Sequence, residues 1–278
     1  MKFKTKHLSP FGLLLEPNHP NDDIRNLDIE KLREFFHRHH LVVLKGFRTF
    51  ETANDFSDYC AGFGEISLWP FGKVLELVEQ KNPTDHIFDH TYVPLHWDGM
   101  YRPQVPEFQI FHCVIAPQED QGGRTTFSNT AIAAGRVPAH IRDLWARVTG
   151  IYYRKMEFYE SKTVAPIITK HPVRGFPVIR YCEPPREGDE TFVNHPTLEF
   201  KGVTESEATE FHRSLREALY SPENFYAHTW QTGDVVIADN YTLLHGREAF
   251  TSGAPRHLRR VHVLGEPPLN NPHLVCHA

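Results

Sequence analysis

Residues 230–250 read WQTGDVVIADNYTLLHGREAF. Within them, DVVIAD (234–239) has the short, continuously apolar character of a buried strand. His245 follows that strand and precedes Gly246 and Arg247. A polar His-Gly-Arg leaving a buried strand points to a side chain aimed into the fold. Outward from this stretch, RHLRRVHVL (256–264) reads as a second late strand. Upstream, PEFQIFHCVIAP (106–117) reads as a strand closed by proline at either end, and LVVLKGF (41–47) as a short β-type run. Segments around 150–155, 164–169 and 176–181 suggest further strands joined by Pro- and Gly-containing turns.

Helices flank these strands. Ile29, Leu32, Phe35 and Phe36 fall at helical spacing in 28–39, and 52–63 and 138–147 are further helical stretches. The clearest helix covers 204–220: Thr204 and Glu207 fit a capping box, and Phe211, Leu215 and Leu219 form a stripe. Short strands with helices around them predict a mainly β chain, a double-sheet sandwich with flanking helices, better than a βαβ sheet. The 278 residues are read as one domain spanning 1–278. No GxGxxG or Walker loop is present, so a nucleotide site is not indicated.

Bulk properties exclude several classes. Net charge is −5, which gives no general reason to expect nucleic acid or an anionic membrane as partner. No apolar stretch approaches the ~18 residues of a membrane span. The apolar run Gly12–Leu15 in the basic start MKFKTKHLSPFGLLLEP is too short for a signal segment, so the expected location is cytoplasmic. Cys60, Cys113, Cys182 and Cys276 form no CxxC pair and read as free thiols in a reducing compartment. Nineteen histidines make any single one weak evidence for a ligand.

The chemistry-bearing residues are therefore judged jointly. In LHWDG, His96 and Asp98 are two apart, and residues i and i+2 of an extended segment face the same side. With His245 they would make a set of two imidazoles and one carboxylate, the facial triad of non-haem iron(II) oxygenases. That set leaves three coordination positions open, two for the keto and carboxylate oxygens of 2-oxoglutarate and one for O2. The far carboxylate of such a co-substrate calls for a cation. Arg256 and Arg260 share one face of an extended strand with Leu258 and His262, and guanidinium suits bidentate carboxylate recognition. The alternative is an outward basic ladder on an edge strand. Trp97, Met100, Tyr101 and Phe108, near the His-Asp motif in sequence, are candidates either for an aromatic pocket or for ordinary core.

Taken together, LHWDG, QGGRTTF (121–127), LLHGREAF (243–250) and Arg256 eleven residues beyond His245 resemble the taurine/2,4-D dioxygenase family of iron(II)/2-oxoglutarate enzymes, over residues 10–268. The resemblance implies a double-stranded β-helix, or jelly roll, with His96, Asp98 and His245 as iron ligands. It implies that Thr125 hydrogen-bonds the 2-oxoglutarate carboxylate and Arg256 pairs with it, while Arg260 meets an anionic substrate. Thr126 is the alternative contact in GGRTTF. LWPFGKVLELVEQ (68–80), VPLHWDGMY (93–101), PEFQIFHCV (106–114), GGRTTFSNT (122–130) and RHLRRVHV (256–263) are similar to a bacterial subgroup that acts after isonitrile synthase. That likeness implies desaturation of the Cα–Cβ bond of tyrosine isonitrile, in some members with loss of the carboxylate. Trp97 and Tyr101 are then the substrate-pocket residues, and the partner is a small molecule, the isonitrile of an aromatic amino acid.

Three other readings stand beside it. The same fold could hydroxylate another small carboxylate or sulfonate. Two His and one Asp could instead hold zinc for hydrolysis on a β-sandwich, which needs neither Arg256 nor O2. A non-catalytic sandwich would leave the joint placement of His96, Asp98, His245 and Arg256 unexplained.

Overall fold

A computed structural model describes residues 2–156, 159–185 and 193–277. Its larger sheet has seven strands in the order Phe3–His7, Leu13–Pro17, Leu41–Leu44, Val235–Asp239, Gln104–Ile115, His257–Asn270 and Leu75–Val78. Only Leu13–Pro17 and Leu41–Leu44 pair in parallel. A smaller antiparallel sheet holds Phe225–His228, Thr125–Asn129, Leu243–Arg247 and Val93–His96. The two sheets close on each other as a jelly roll.

The strand quoted first shows why they close. Val235–Asp239 lies between Leu41–Leu44 and Gln104–Ile115, and all five of its residues are buried. Side chains of a strand alternate between faces. Val236 and Ala238 pack with Phe111, Phe127 and Leu243 between the sheets. Val235 and Ile237 pack on the outer face with Leu32 and Phe36 of the helix Ile29–His39 and Phe56 of the helix Ala53–Ala61. Both faces are covered, hence the unbroken apolar run. Asp28 caps the first of these helices, and Thr52, in a capping box with Asp55, the second.

A third apolar cluster lies beside the jelly roll. The sheet Thr197–Lys201, Thr149–Lys155, Glu160–Pro166, Leu274–His277 and the helices Ala139–Arg147 and Glu205–Leu219 surround Trp145, Tyr152 and Phe211. Trp97, Met100 and Tyr101 belong to the same cluster. This sheet and its helices thereby wall the end of the jelly roll where the His-Asp motif lies.

Several boundaries differ from the sequence reading. Pro106 does not close its strand, which begins at Gln104. It sits beside a break in register, where Pro106 pairs with Leu264 and Val105 with Leu269; a residue without an N–H is tolerated at such an irregularity. The stretch read around 164–169 is two strands, Glu160–Pro166 and Ile168–Lys170. His245 does not follow a strand but lies in one, Leu243–Arg247. The basic ladder is not an edge: His257–Asn270 pairs with Gln104–Ile115 on one side and Leu75–Val78 on the other.

Candidate active site

His245 and His96 are direct cross-strand partners in the smaller sheet, and their rings lie 4.2 Å apart, centroid to centroid. Asp98 reaches them differently from the expectation. The strand Val93–His96 ends at His96, and Asp98 stands in the turn that follows. Its convergence with His96 comes from that turn, not from strand alternation. Gly99 makes the turn possible: its φ is +87°, and a Cβ there would lie 2.6 Å from Pro106 Cδ. His96 Nε2 lies 3.7 Å from Asp98 Oδ1, and His245 Nε2 lies 3.6 Å from Asp98 Oδ2. One nitrogen or oxygen from each of the three residues falls within 4.8 Å of the others.

The protonation states suit a cation. Burial pulls His245 well below the usual imidazole range, and His96 is lowered for the same reason. Burial also pushes the Asp98 carboxyl upward, but Arg260, His262 and His245 outweigh it and hold the group well below its ordinary value. Near neutrality the cluster is thus two neutral imidazoles and one carboxylate, the states in which these groups ligate metal. His96 Nδ1 lies 2.8 Å from Pro94 O, which leaves Nε2 facing the cluster as a lone-pair donor.

A narrow recess beside the cluster is lined by His96, His245, Thr125, Arg247, Arg256 and Arg260. Thr125 lines it and Thr126 does not. Trp230 Nε1 donates to Thr125 Oγ1 at 2.9 Å, so the threonine hydroxyl is left to donate elsewhere. Arg256 is buried, donates from Nε to Gly123 O at 3.0 Å, and has no carboxylate within 4.0 Å among the described residues. Burial lowers it to about 10, so it remains a cation. A buried guanidinium without an anion marks a place for one. Arg247 is differently engaged: it donates to the carbonyls of Ile87, Asp89 and Thr91 and so ties the loop before the His-Asp motif.

On the other side of the cluster opens a cavity of about 520 Å³. His96, Asp98 and Arg260 form one wall, and Trp69, Phe71, Trp97, Met100 and Tyr101 supply apolar surface. Tyr101 stacks on Tyr159, with centroids 6.3 Å apart, and Trp97 meets Tyr152 edge-on at 5.3 Å. Further round, Arg154 forms an ion pair with the buried Asp85. Phe108 is not at this site. It is fully buried on the outer face of the sheet, stacked on Phe36 at 4.2 Å, because its neighbours Glu107 and Gln109 take the opposite face of the strand. His90 also lies apart, paired with Asp89 at 2.9 Å and Glu79 at 3.3 Å.

Sequence reasoning gave no role to three residues around Asp98, although it placed His262 on the face of Arg256 and Arg260. Asn240 Oδ1 accepts from the Asp98 backbone N–H at 2.9 Å, and its Nδ2 donates to Asp98 O at 2.9 Å. Gln109 Nε2 donates to Asp98 Oδ2 at 2.5 Å, and His262 Nε2 lies 2.8 Å from the same oxygen. A polar residue at an inward position of an apolar strand was the available signal for Gln109 and His262. Asn240, in a turn, carried none.

A jelly roll holding two imidazoles and a carboxylate between its sheets, with a buried cation beside them, defines a non-haem iron, 2-oxoglutarate-dependent oxygenase. The chain belongs to the taurine catabolism dioxygenase TauD, TfdA family, whose model matches residues 4–262. It is 52% identical over 264 residues to the tyrosine isonitrile desaturase of Pseudomonas aeruginosa, covering 95% of this chain and 91% of that one. It is 51% identical over 265 residues to the enzyme of the same name from Erwinia amylovora, with the same coverage. Among solved structures, PvcB, described as an Fe, alpha-ketoglutarate dependent oxygenase from an isonitrile synthetic pathway, superposes with a TM-score of 0.83 at 47% identity, covering 99% of this chain and 96% of that one. Family membership sets aside the zinc hydrolase and the non-catalytic sandwich.

Proposed function

We propose that this chain desaturates the isonitrile derived from tyrosine. The observation that carries the reading is the 520 Å³ cavity, walled by aromatic side chains and opening on His96, Asp98 and Arg260. Its size suits a small aromatic acid. The similarity to two tyrosine isonitrile desaturases supports the substrate class.

In this reading His96, Asp98 and His245 hold iron(II). The bound metal, with 2-oxoglutarate and O2, would supply a two-electron oxidant, and the balance is one alkene, succinate, carbon dioxide and water per turnover, with a second carbon dioxide where the substrate carboxylate is lost. The protein's part is placement. Arg256 and the Thr125 hydroxyl bind the far carboxylate of 2-oxoglutarate in the narrow recess. Arg260, at the boundary of recess and cavity, takes the substrate carboxylate and so directs the benzylic carbon toward the metal cluster. Trp97 and Tyr101 bound the space for the ring and exclude water. Misplacement of about 1 Å can cost 10²-fold in rate, so these contacts govern outcome as well as binding.

The whole chain acts as one dioxygenase domain on a small-molecule substrate. No helix among the described residues is long and apolar enough to cross a membrane. Three buried, unpaired cysteines accord with a reducing, cytoplasmic setting. Mass spectrometry of the products from tyrosine isonitrile, iron(II), 2-oxoglutarate and O2 tests the function. The expected product lacks two hydrogens, with or without its carboxylate. A product carrying an added oxygen would replace desaturation by hydroxylation. Turnover of a small sulfonate or another carboxylate in preference would overturn the substrate.

A further inference from the structure

The two oxygens of Asp98 stand in unequal surroundings. Oδ2 receives Gln109 Nε2 at 2.5 Å, His262 Nε2 at 2.8 Å and Arg260 Nη1 at 2.8 Å. No hydrogen-bond donor among the described residues reaches Oδ1, which lies 3.7 Å from His96 Nε2. The asymmetry is built into the sheet. Gln109 and His262 are register partners on adjacent strands, so both side chains leave the same face at the same level. Both are almost wholly buried.

The role of His262 is fixed by a further residue. Trp69 Nε1 lies 3.0 Å from His262 Nδ1. An indole N–H can only donate, so Nδ1 accepts and the ring proton sits on Nε2, facing Asp98. Trp69 lies in the loop that borders the cavity, stacked on Phe71 at 5.7 Å and covered by Arg102 at 4.9 Å. Gln109 is oriented too: turning its amide would set Oε1 against a carboxylate oxygen.

A three-residue ligand set leaves three sites on an octahedral ion only when its carboxylate binds through one oxygen. A two-oxygen carboxylate would occupy one of those sites. Since 2-oxoglutarate takes two, the site lost would be the one for O2. An oxygen already accepting two hydrogen bonds and lying 2.8 Å from a guanidinium nitrogen is poorly able to bind the ion as well.

We infer that Gln109 and His262, with Trp69 setting the His262 tautomer, are positioning residues that hold Asp98 to one-oxygen ligation and thereby keep a coordination place free for O2. This rests on the iron reading of the cluster. Outer hydrogen bonds of this kind commonly change metal affinity or activity 10–100-fold when removed (about this range).

The test uses the iron(II)-loaded enzyme with 2-oxoglutarate and substrate under anaerobic conditions, in Gln109→Leu, His262→Leu, His262→Gln and Trp69→Phe. Near-infrared magnetic circular dichroism reads the coordination number, and metal affinity and the KM for O2 are measured alongside. Wild type is expected to show a five-coordinate ion. The two leucine variants should retain metal but remain six-coordinate, with the KM for O2 raised by about tenfold or more. His262→Gln, which restores an N–H donor, should recover wild-type behaviour, and Trp69→Phe should fall between. Trp69→Phe removes only a distant donor and keeps the test alive should a leucine variant fail to fold. A five-coordinate spectrum and an unchanged KM for O2 in the variants would overturn the inference while leaving the iron site standing. Failure of wild type itself to bind iron(II) would overturn the reading beneath it.

Discussion

Asn240 grips the backbone of Asp98 from both sides, accepting from its N–H and donating to its carbonyl, each at 2.9 Å. The turn carrying Asn240 is itself held, by Asp239 Oδ1 accepting from Tyr241 and Thr242 and by Arg180 donating to the carbonyls of Asn240 and Tyr241. Asp98 thus takes its position from the turn that links Val235–Asp239 of the larger sheet to Leu243–Arg247 of the smaller one. Asn240→Ala should reduce manganese(II) affinity by about 10–100-fold, measured by loss of the free-ion electron paramagnetic resonance signal. It should also cost about 1–3 kcal/mol of stability through the groups left unpaired. An unaltered manganese titration would remove Asn240 from the site's support.

His245→Ala should lose iron and coupled succinate formation. His90→Ala is its control. Six residues before His96, it is paired with Asp89 and Glu79 outside the cluster and should keep wild-type iron content by metal analysis. Full iron content in His245→Ala, or its loss in His90→Ala alone, would reverse the assignment.

Arg256 is a buried cation with no carboxylate in reach among the described residues, and it remains protonated near neutrality. Removing one member of a desolvated charge pair costs on the order of 2–5 kcal/mol. Arg256→Ala should therefore raise the dissociation constant of 2-oxoglutarate by that equivalent. The readout is anaerobic titration of the iron–2-oxoglutarate charge-transfer absorption. A midpoint equal to wild type would place the co-substrate carboxylate elsewhere.

What could be read before the structure followed from periodicity and chemistry. Val235–Asp239 was legible because burial on both faces writes itself as an unbroken apolar run, and Glu205–Leu219 because Thr204 and Glu207 mark its start. The strands Phe225–His228, Thr197–Lys201 and Leu274–His277 were not, since four or five residues are too short a run to leave much pattern. The helix Thr130–Arg136 was missed as well; it is short and ends just before Val137-Pro138. His96, Asp98, His245, Thr125 and Arg256 were singled out through joint spacing and family likeness, and the structure gathers them around one recess and the cluster beside it. Of the two places open to Phe108, pocket or core, it takes the core, because nearness in sequence to Asp98 says nothing of which face of a strand a residue takes. The supports of Asp98 come from residues 109, 240 and 262, contacts that exist only once the sheet has paired.

His112 gives a pH dependence of stability. It is buried against Phe50 and Phe56, with Nε2 near Thr49 Oγ1 at 3.2 Å, and burial lowers it to about 4. Between about pH 6.5 and 4 the unfolded chain binds this proton and the folded chain does not. Stability therefore falls as pH falls across that window, by up to about 1.4 kcal/mol per unit from this one group, and levels below it. His112→Gln, neutral throughout, should show a shallower decline in urea-unfolding free energy over the same range. Parallel slopes for the two proteins would mean that His112 is protonated equally in both states.

Arg260 has two places to act. Its Nη1 lies 2.8 Å from Asp98 Oδ2, and its side chain lines both the recess and the large cavity. A guanidinium has five N–H donors, so one contact with Asp98 leaves others for a substrate carboxylate. If both contacts operate, Arg260→Ala should weaken anaerobic substrate binding and uncouple the reaction, with succinate formed in excess over product. Arg260→Lys keeps a charge near Asp98 but loses the planar fork, so it should retain iron while binding substrate poorly and staying uncoupled. The two jobs separate by measurement: iron affinity reports the contact with Asp98, and substrate affinity with the succinate-to-product ratio reports the other. Ratios near unity and unaltered substrate affinity in both variants would confine Arg260 to Asp98. The substrate carboxylate would then have to meet the other arginine that lines the cavity among the described residues, Arg154, and Arg154→Ala should show the uncoupling instead.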